Sequence, residues 1–203
     1  MFVLGENMDS IDYYDKNAKD FYDRTINADL QDVYQKFLKH LPKQGRILDA
    51  GCGVGRDSRF FLSKGYDIVP FDGSLEMVKT ASNLLGKNAL HILFQDVNFV
   101  SEFDAIWANA SLLHVPYENL KGVIQAFHRS LLPSGILYAS FKYGDSMRQV
   151  EDRFFFDMNE SSIEPYLRGL FHPLEIWKSA DTRSKVAPSP DKSWLNFIAR
   201  RVP

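Results

Sequence analysis

The 203-residue sequence predicts an α/β protein in which helices cover both faces of a parallel sheet, a doubly wound fold. Short apolar runs alternate along the chain with segments whose apolar residues recur every three or four positions, as strands and amphipathic helices do. Glycine and proline separate these segments, and a cluster of glycines directly follows the first apolar run. Because no repeat, linker or low-complexity tract divides the chain, we expect one domain spanning residues 1–203.

Helix and strand patterns alternate from the N-terminus onward. Apolar residues at helical spacing predict helices over residues 14–22, 30–41, 56–64, 75–85, 120–131 and 163–167. Runs with strand character predict seven strands, at residues 47–48, 68–71, 89–94, 105–108, 136–141, 174–177 and 195–199. Ser74 is the expected N-cap of the fourth helix, and Gly86 is expected to end it. Residues 142–157 are polar and aromatic without a clear period, so no element is predicted there.

Composition excludes several classes of function. Lys and Arg number 24 against 26 Asp and Glu, a net charge of −2 that gives no field for nucleic-acid binding. The single cysteine rules out an internal disulfide, and the N-terminus lacks the pattern of a signal peptide. No apolar run approaches the roughly 20 residues that span a bilayer. We therefore expect a cytoplasmic protein with no membrane partner, and the five histidines, which lack metal-ligand spacing, predict no metal site.

A glycine-rich turn carries the chemistry. Asp49, Gly51, Gly53 and Gly55 lie between the first strand and a helix that begins at Arg56. Without β-carbons the backbone turns sharply and lies close to a ligand, whose polar groups meet the free N–H groups of the helix start. An NAD site would need Gly-x-Gly-x-x-Gly, and Arg56 stands at its third glycine, which disfavours an NAD-dependent oxidoreductase.

Two further carboxylates stand at the ends of the next strands. Asp72 follows Gly51 by 21 residues, about the offset at which a carboxylate accepts hydrogen bonds from ribose hydroxyls. Asp96 follows the third strand, where a carboxylate can reach an adenine amine. Because ligands of open α/β sheets bind beyond the carboxyl ends of the strands, these groups predict a site for an adenine nucleoside.

Over residues 46–141 this order resembles the class I S-adenosylmethionine-dependent methyltransferases. The resemblance implies a seven-stranded, mostly parallel sheet with the last strand antiparallel. It also implies S-adenosylmethionine as cofactor and S-adenosylhomocysteine as product. In this family the glycine turn holds the methionine part, the acidic residue after strand two holds the ribose, and a residue such as Met77 packs on the adenine. The cofactor-binding residues expected here are Tyr14, Arg24, Asp49, Gly51, Cys52, Gly53, Arg56, Asp72, Gly73, Ser74, Met77, Asp96, Val97 and Asn109.

The remaining segments resemble a subgroup of small bacterial methyltransferases related to tellurite-resistance types. The matching words are Gly-Arg-Asp-Ser at 55–58, Ala-Ser-Leu-Leu-His-Val-Pro at 110–116, Ser-Phe-Lys-Tyr-Gly at 140–144, Asp-Arg-Phe-Phe at 152–155 and Trp-Leu-Asn at 194–196. The resemblance implies three parts, a helical cap at 1–45, a cofactor-binding core at 46–141 and an acceptor-side tail at 142–203. It indicates methyl transfer and leaves the acceptor and the oligomeric state open.

The candidate residues beyond the glycine turn have two interpretations each. His114 follows the fourth strand and is the candidate general base, or else a histidine at a helix start satisfied by backbone groups. Tyr14 and Arg24 fold over the cofactor, or they belong to amphipathic packing and a solvated face. Cys52 is a small side chain beside the cofactor rather than a nucleophile. Basic residues near aromatic ones predict a site for an anionic acceptor, or else surface charge: Lys142, Arg148, Arg153 and Arg183.

The end of the fourth strand narrows the reaction. Residues 109–112 read Asn-Ala-Ser-Leu and lack the Asn-Pro-Pro-Tyr pattern of enzymes that methylate amino groups of bases and glutamine. The sequence therefore favours a small-molecule acceptor methylated at oxygen, sulfur, a metalloid or nitrogen. The alternative is a non-catalytic module that binds S-adenosylmethionine or a partner protein.

Overall fold

The computed structural model describes residues 10–150, 152–180 and 193–203. In these ranges the helices are α1 (Ser10–Thr25), α2 (Gln31–Leu38), α3 (Arg56–Ser63), α4 (Leu75–Leu85), α5 (Tyr117–Ser130) and α6 (Glu160–Leu167). The strands are β1 (Arg46–Ala50), β2 (Asp67–Asp72), β3 (Leu90–His91), β4 (Phe103–Ala108), β5 (Leu131–Lys142), β6 (Met147–Val150), β7 (Arg153–Phe156), β8 (Phe171–Ala180) and β9 (Ser193–Arg201). Two 3-10 turns lie at Phe94–Asp96 and Leu112–His114.

Seven of these strands form one sheet in the order β3-β2-β1-β4-β5-β9-β8. The pairs from β3 to β5 are parallel, whereas β9 runs antiparallel to both β5 and β8. The predicted α/β fold, a doubly wound sheet of seven strands with the last one antiparallel, is confirmed.

Side chains of the central strands alternate between two cores, one on each face of the sheet. Leu48 and Ile106 belong to the larger core, which α5 and α6 cover. Ile47 and Trp107 belong to the second core, which α2 and α3 cover. Both faces of β1 and β4 are buried, as the central strands of a parallel sheet require.

The structure departs from the predicted elements at two places. The third strand is only Leu90–His91, and the chain enters a 3-10 turn at Phe94, so the prediction of a strand over 89–94 was wrong at its end. Within residues 142–157, for which no element was predicted, the strands β6 and β7 pair antiparallel as a hairpin. The hairpin has no clear period because β6 is exposed throughout, while β7 changes from half-buried to buried along its length.

The ends of α4 are set by the capping residues that the sequence predicts. The Ser74 hydroxyl accepts a hydrogen bond from the Met77 amide at 3.1 Å, and Gly86 ends α4 in the left-handed region at φ 62°. Asn159 caps α6 through a capping box with Ser162. Among the described residues, no helix is both long enough and apolar enough to cross a membrane.

Substitution of Phe37 by alanine should lower the free energy of unfolding by about 3–5 kcal/mol, the usual cost of removing a fully buried phenyl ring. Phe37 is fully buried, and its ring lies 5.0 Å from that of Trp107 and 5.7 Å from that of Phe61. Urea denaturation measures the change. Val100→Ala is the control, because Val100 is 69% exposed; an equal loss in the two variants would contradict the placement of this core.

Candidate functional site

A cavity of about 1550 Å³ opens at the carboxyl edge of the sheet. Its walls come from the turn after β1, the ends of β2, β4 and β5, helix α1, the 3-10 turn at Leu112–His114 and the β6–β7 hairpin. Open α/β sheets bind ligands at this edge, because loops from neighbouring strands diverge there. The cavity is therefore the candidate active site.

The glycine turn forms the base of the cavity. Gly51, Gly53 and Gly55 all have positive φ, at 72°, 53° and 85°, a region that residues with a β-carbon rarely adopt. The amides of Gly51 and Cys52 donate to the Phe71 carbonyl at 3.0 and 2.8 Å. A β-carbon on Gly51 would lie 2.5 Å from that of Ser111, so the turn is wedged against the loop after β4. The predicted turn therefore takes the close geometry that its glycines allow.

Asp72 ties the glycine turn to the end of β2. One carboxylate oxygen accepts from the Gly53 amide at 2.9 Å, and the other accepts from the Ser74 amide at 2.9 Å. Burial raises the pKa of Asp72, and the backbone hydrogen bonds oppose that rise. Gly73, Ser74 and Met77 line the cavity beside it. The structure thus brings these predicted cofactor residues together on one wall.

Asp96 and Val97 do not line the cavity. Asp96 is exposed in the 3-10 turn after β3, and Val97 is buried in the larger core. The chain turns at Phe94 instead of continuing as a strand, so Leu93, Phe94 and Gln95 make the wall at this point. Because the sequence predicts a strand over 89–94, it gives no sign that Leu93 and Phe94 line the cavity.

Asp49 and Cys52 lie beneath or within the turn. Asp49 is buried and accepts a hydrogen bond from the Ser58 hydroxyl at 2.6 Å, so it supports the turn from behind. Burial and the nearby carboxylate of Asp57 raise the pKa of Asp49. Burial likewise raises the pKa of the Cys52 thiol, which keeps it protonated and unreactive, in agreement with the small-side-chain interpretation.

Arg56 is held by Asp57 and by helix α1. Its Nε and Nη2 atoms donate to the Asp57 carboxylate at 2.6 and 3.1 Å, and Nη1 donates to the Thr25 carbonyl at 3.2 Å. Arg56 lines the cavity, as predicted of a cofactor-binding residue, but its guanidinium already has these partners.

Asp57 is a buried acceptor that the sequence prediction missed. Besides Arg56, it accepts hydrogen bonds from the Tyr34 hydroxyl at 2.6 Å, the Trp107 indole at 2.8 Å and the Asn109 amide at 3.1 Å. Burial alone would raise the pKa of Asp57, but the Arg56 guanidinium and these donors lower it, so the carboxylate is ionised. The segment Gly-Arg-Asp-Ser at 55–58 could have indicated the role of Asp57, because this acidic residue directly follows Arg56, a predicted cofactor-binding residue.

Tyr14 and His114 both line the cavity and are joined by a hydrogen bond. The Tyr14 hydroxyl lies 2.7 Å from Nε2 of His114, and Nδ1 of His114 lies 2.7 Å from the Phe154 carbonyl. Because a carbonyl only accepts, Nδ1 carries the proton and Nε2 accepts from Tyr14. Burial, together with the Arg153 charge, lowers the pKa of His114 to about 4, and the hydrogen bond to Phe154 opposes this shift. A single neutral tautomer thus joins helix α1, the loop after β4 and the hairpin.

Helix α1 is anchored at a second point, where the Asp15 carboxylate accepts from the Ser74 hydroxyl at 2.6 Å and from the Glu76 amide at 3.1 Å. An anion at the start of α4 is stabilised by the free N–H groups there. Arg24, predicted to fold over the cofactor, is exposed and donates to the Asp20 carbonyl at 3.3 Å. It does not line the cavity, because it lies on the solvated face of α1.

Three of the four predicted acceptor-binding cations line the cavity. The Lys142 ammonium lies 3.9 Å from the centre of the Trp194 ring, and the Arg153 guanidinium lies 4.3 Å from that of Tyr13. Arg148 makes a two-point ion pair with Asp157, at 2.8 and 2.9 Å. Arg183 lies outside the described residues. No cluster that could hold a metal ion is found among residues 10–150, 152–180 and 193–203.

Known proteins resemble this chain over much of its length. Residues 22–162 match the model of a family described as a methyltransferase domain. An uncharacterized methyltransferase of Staphylococcus carnosus is 25% identical over 194 residues, 88% of this chain and 94% of that protein. A malonyl-[acyl-carrier protein] O-methyltransferase of Enterobacter lignolyticus is 28% identical over 109 residues, 52% of this chain and 42% of that protein. The chain spans about half the length of several curated relatives that it matches.

A solved structure agrees with the fold. It is the 1,6-didemethyltoxoflavin-N1-methyltransferase of Burkholderia thailandensis with bound 1,6-didemethyltoxoflavin and S-adenosylhomocysteine. It superimposes with a TM-score of 0.83 over 100% of this chain and 93% of that chain, at 19% identity.

The low pKa of His114 predicts a pH-dependent stability. Between pH 6.5 and about 4 the unfolded chain binds a proton at His114 that the folded chain does not, so the free energy of unfolding should fall as the pH is lowered through this range. Urea denaturation at several pH values should show a shallower fall for His114→Asn, which does not titrate. His172→Asn removes an exposed histidine and should follow the wild type. Parallel curves for all three proteins would refute the buried neutral state of His114.

Proposed function

This chain belongs to the methyltransferase domain family, and from that premise we propose that it transfers a methyl group from S-adenosylmethionine to a small-molecule acceptor. The observation that carries the proposal is the wall formed by the glycine turn and the Asp72 carboxylate at the carboxyl edge of the sheet. The wall lies within residues 22–162, which match the family, and its glycine backbone and carboxylate suit an adenosyl group.

The residues present fit that cofactor. The Asp72 carboxylate accepts backbone hydrogen bonds from Gly53 and Ser74 at 2.9 Å, and Gly73 contributes a third. Because a carboxylate offers about four lone-pair positions, one position is left for a ribose hydroxyl. A β-carbon on Gly53 would meet only the edge of Phe21, at 3.6 Å, so the glycine leaves open space on the cavity side. We propose that Gly51, Gly53, Asp72, Gly73, Ser74 and Met77 bind the cofactor.

S-adenosylmethionine supplies a methyl group on a positively charged sulfur, which an acceptor displaces in line. The protein aligns the acceptor with this group and excludes water. A histidine with a pKa of about 4 is a weak proton acceptor, so we assign His114 to closing the cavity rather than to proton transfer. Tyr14 helps to close the cavity by donating its hydroxyl proton to Nε2 of His114.

We propose that the acceptor binds on the β5 and hairpin side, where Lys142 and Arg153 provide positive charge and Phe154 and Trp194 provide apolar rings. Arg148 and Arg183 stay predictions, the former because Asp157 already holds its guanidinium. The cap at 1–45, the core at 46–141 and the tail at 142–203 then act as one domain, since α1, the strand ends and the hairpin all contribute walls. Membership of the tellurite-resistance subgroup likewise stays a prediction.

Transfer of label tests the proposal directly. The purified protein is incubated with S-adenosylmethionine labelled at the methyl group and a panel of small carboxylates, phenols, thiols, amines and heterocycles. We expect label in at least one acceptor and stoichiometric formation of S-adenosylhomocysteine. Binding of S-adenosylmethionine without transfer to any member would favour the non-catalytic alternative. No binding at all would refute the proposed function.

Asp72→Ala should weaken S-adenosylmethionine binding by about 1–3 kcal/mol, because hydrogen-bonding groups of the ribose and of the turn would lose their partner. Equilibrium dialysis with labelled cofactor measures the affinity. Asp67→Ala is the matched control, since Asp67 lies at the opposite end of the same strand and its side chain is 61% exposed. Unchanged affinity in Asp72→Ala, or an equal loss in both variants, would contradict the role of Asp72.

A further inference from the structure

The side-chain amide of Asn109 is held from two sides at the end of β4. Its oxygen accepts from the Ser140 hydroxyl at 3.0 Å. The Tyr138 hydroxyl lies 3.3 Å from the same oxygen, but its shorter bond, at 2.9 Å, goes to the Asn196 oxygen. Its nitrogen donates to the Asp57 carboxylate at 3.1 Å. A carboxylate with a lowered pKa only accepts, so the nitrogen and oxygen of this amide cannot exchange places. Asp57 therefore fixes the orientation of Asn109.

An amide nitrogen carries two protons, and Asp57 takes one of them. Within residues 10–150, 152–180 and 193–203, no group accepts the second proton of Asn109. Asn109 is half-buried and lines the cavity. The second N–H is thus a donor of fixed direction at the cavity wall.

The position of Asn109 distinguishes it from the proposed cofactor wall. β4 lies between β1, which carries the glycine turn, and β5, which carries Ser140 and Lys142. Ser140 also accepts from the Ala110 amide at 2.8 Å, which locks the loop after β4 onto β5. Asn109 consequently lies on the side of the cavity that faces β5 and the hairpin, away from Asp72 at the end of β2.

We propose that Asn109 donates its second N–H to a carboxylate or carbonyl oxygen of the methyl acceptor, and that the buried carboxylate of Asp57 is the positioning residue for this contact. The inference rests on the proposed function and specifies its acceptor. It assigns Asn109 to the acceptor, in place of the cofactor role that the sequence predicted.

The surroundings define the class of acceptor. A neutral N–H from Asn109 together with the cations Lys142 and Arg153 favours a group that accepts hydrogen bonds and carries negative charge or a strong dipole. The rings of Phe154 and Trp194, which also line the cavity, favour a flat apolar body. The proposed acceptor is therefore a small ring compound bearing a carboxylate or a ring carbonyl.

Benzoate and 2-pyridone are suitable probes, because they present a carboxylate and a ring carbonyl on a small flat ring. Each is titrated into ¹⁵N-labelled protein saturated with S-adenosylhomocysteine, and NMR follows the Asn109 side-chain amide. We expect at least one probe to bind and shift that resonance. Asn109→Ala and Asp57→Asn should weaken its binding at least fivefold. Tyr34→Phe is the matched control, since it removes another donor to Asp57 without touching Asn109, and it should leave the affinity for the probe unchanged.

The affinity for S-adenosylhomocysteine separates the outcomes. It should be the same in the wild type and in Asn109→Ala; a loss there would mean that Asn109 binds the cofactor and would overturn the inference while leaving the proposed function intact. Failure of the wild type to bind S-adenosylhomocysteine would refute the proposed function itself. The inference would also be overturned if neither probe binds, or if Asn109→Ala binds both probes with the affinity of the wild type.

A readout on the wild type covers the case in which Asp57→Asn does not fold. Hydrogen exchange of the two Asn109 side-chain protons should be slow for the proton bonded to Asp57 and faster for the other, and the faster one should slow when the probe binds. Equal exchange rates in the absence of probe would show that Asp57 does not orient the amide, and would overturn its positioning role.

Discussion

The hydrogen bond from the Gly53 amide to the Asp72 carboxylate is the contact on which the site depends. It joins the turn after β1 to the end of β2, so the glycine backbone and the acidic side chain face one cavity. The Gly53 amide can donate this bond because Gly51, Gly53 and Gly55 adopt left-handed conformations. Ser74 completes the arrangement by donating its amide to the same carboxylate while capping α4. One side chain thus fixes both a loop and a helix start.

A second buried carboxylate organises the opposite side of the cavity. Asp57 accepts hydrogen bonds from residues of α2, α3, β4 and the loop after β4, and Arg56 balances its negative charge. Removing Arg56 would leave the Asp57 charge buried without its counter-ion, so the arrangement depends on this ion pair. The Tyr138 hydroxyl lies 3.3 Å from the Asn109 oxygen and donates to the Asn196 oxygen on β9 at 2.9 Å. The end of β4 is thus linked to the antiparallel strand β9. The shape of the β5 side therefore rests on polar contacts as well as on apolar packing.

Much of the fold and of the cofactor wall could be predicted from the sequence, because the patterns that indicate them lie in short, continuous segments. The parallel core followed from alternating periodicities, and the cavity wall from the spacing between Gly51 and Asp72. What could not be predicted depended on distant partners: Asp57 gains its role from Tyr34, Trp107 and Asn109, which only the fold brings together. The pKa of a histidine cannot be derived from its neighbours in sequence either. The β6–β7 hairpin was missed because an exposed strand lacks the alternation that burial imposes.

We propose that the wall of glycines and Asp72 recognises an adenosyl group attached to the amino acid part of the cofactor. Calorimetric titration of the wild-type protein with S-adenosylhomocysteine, and separately with NAD⁺, tests this recognition most directly. We expect saturable, one-to-one binding of S-adenosylhomocysteine and no heat of binding from NAD⁺. Binding of NAD⁺ with no response to S-adenosylhomocysteine would contradict this role of the wall.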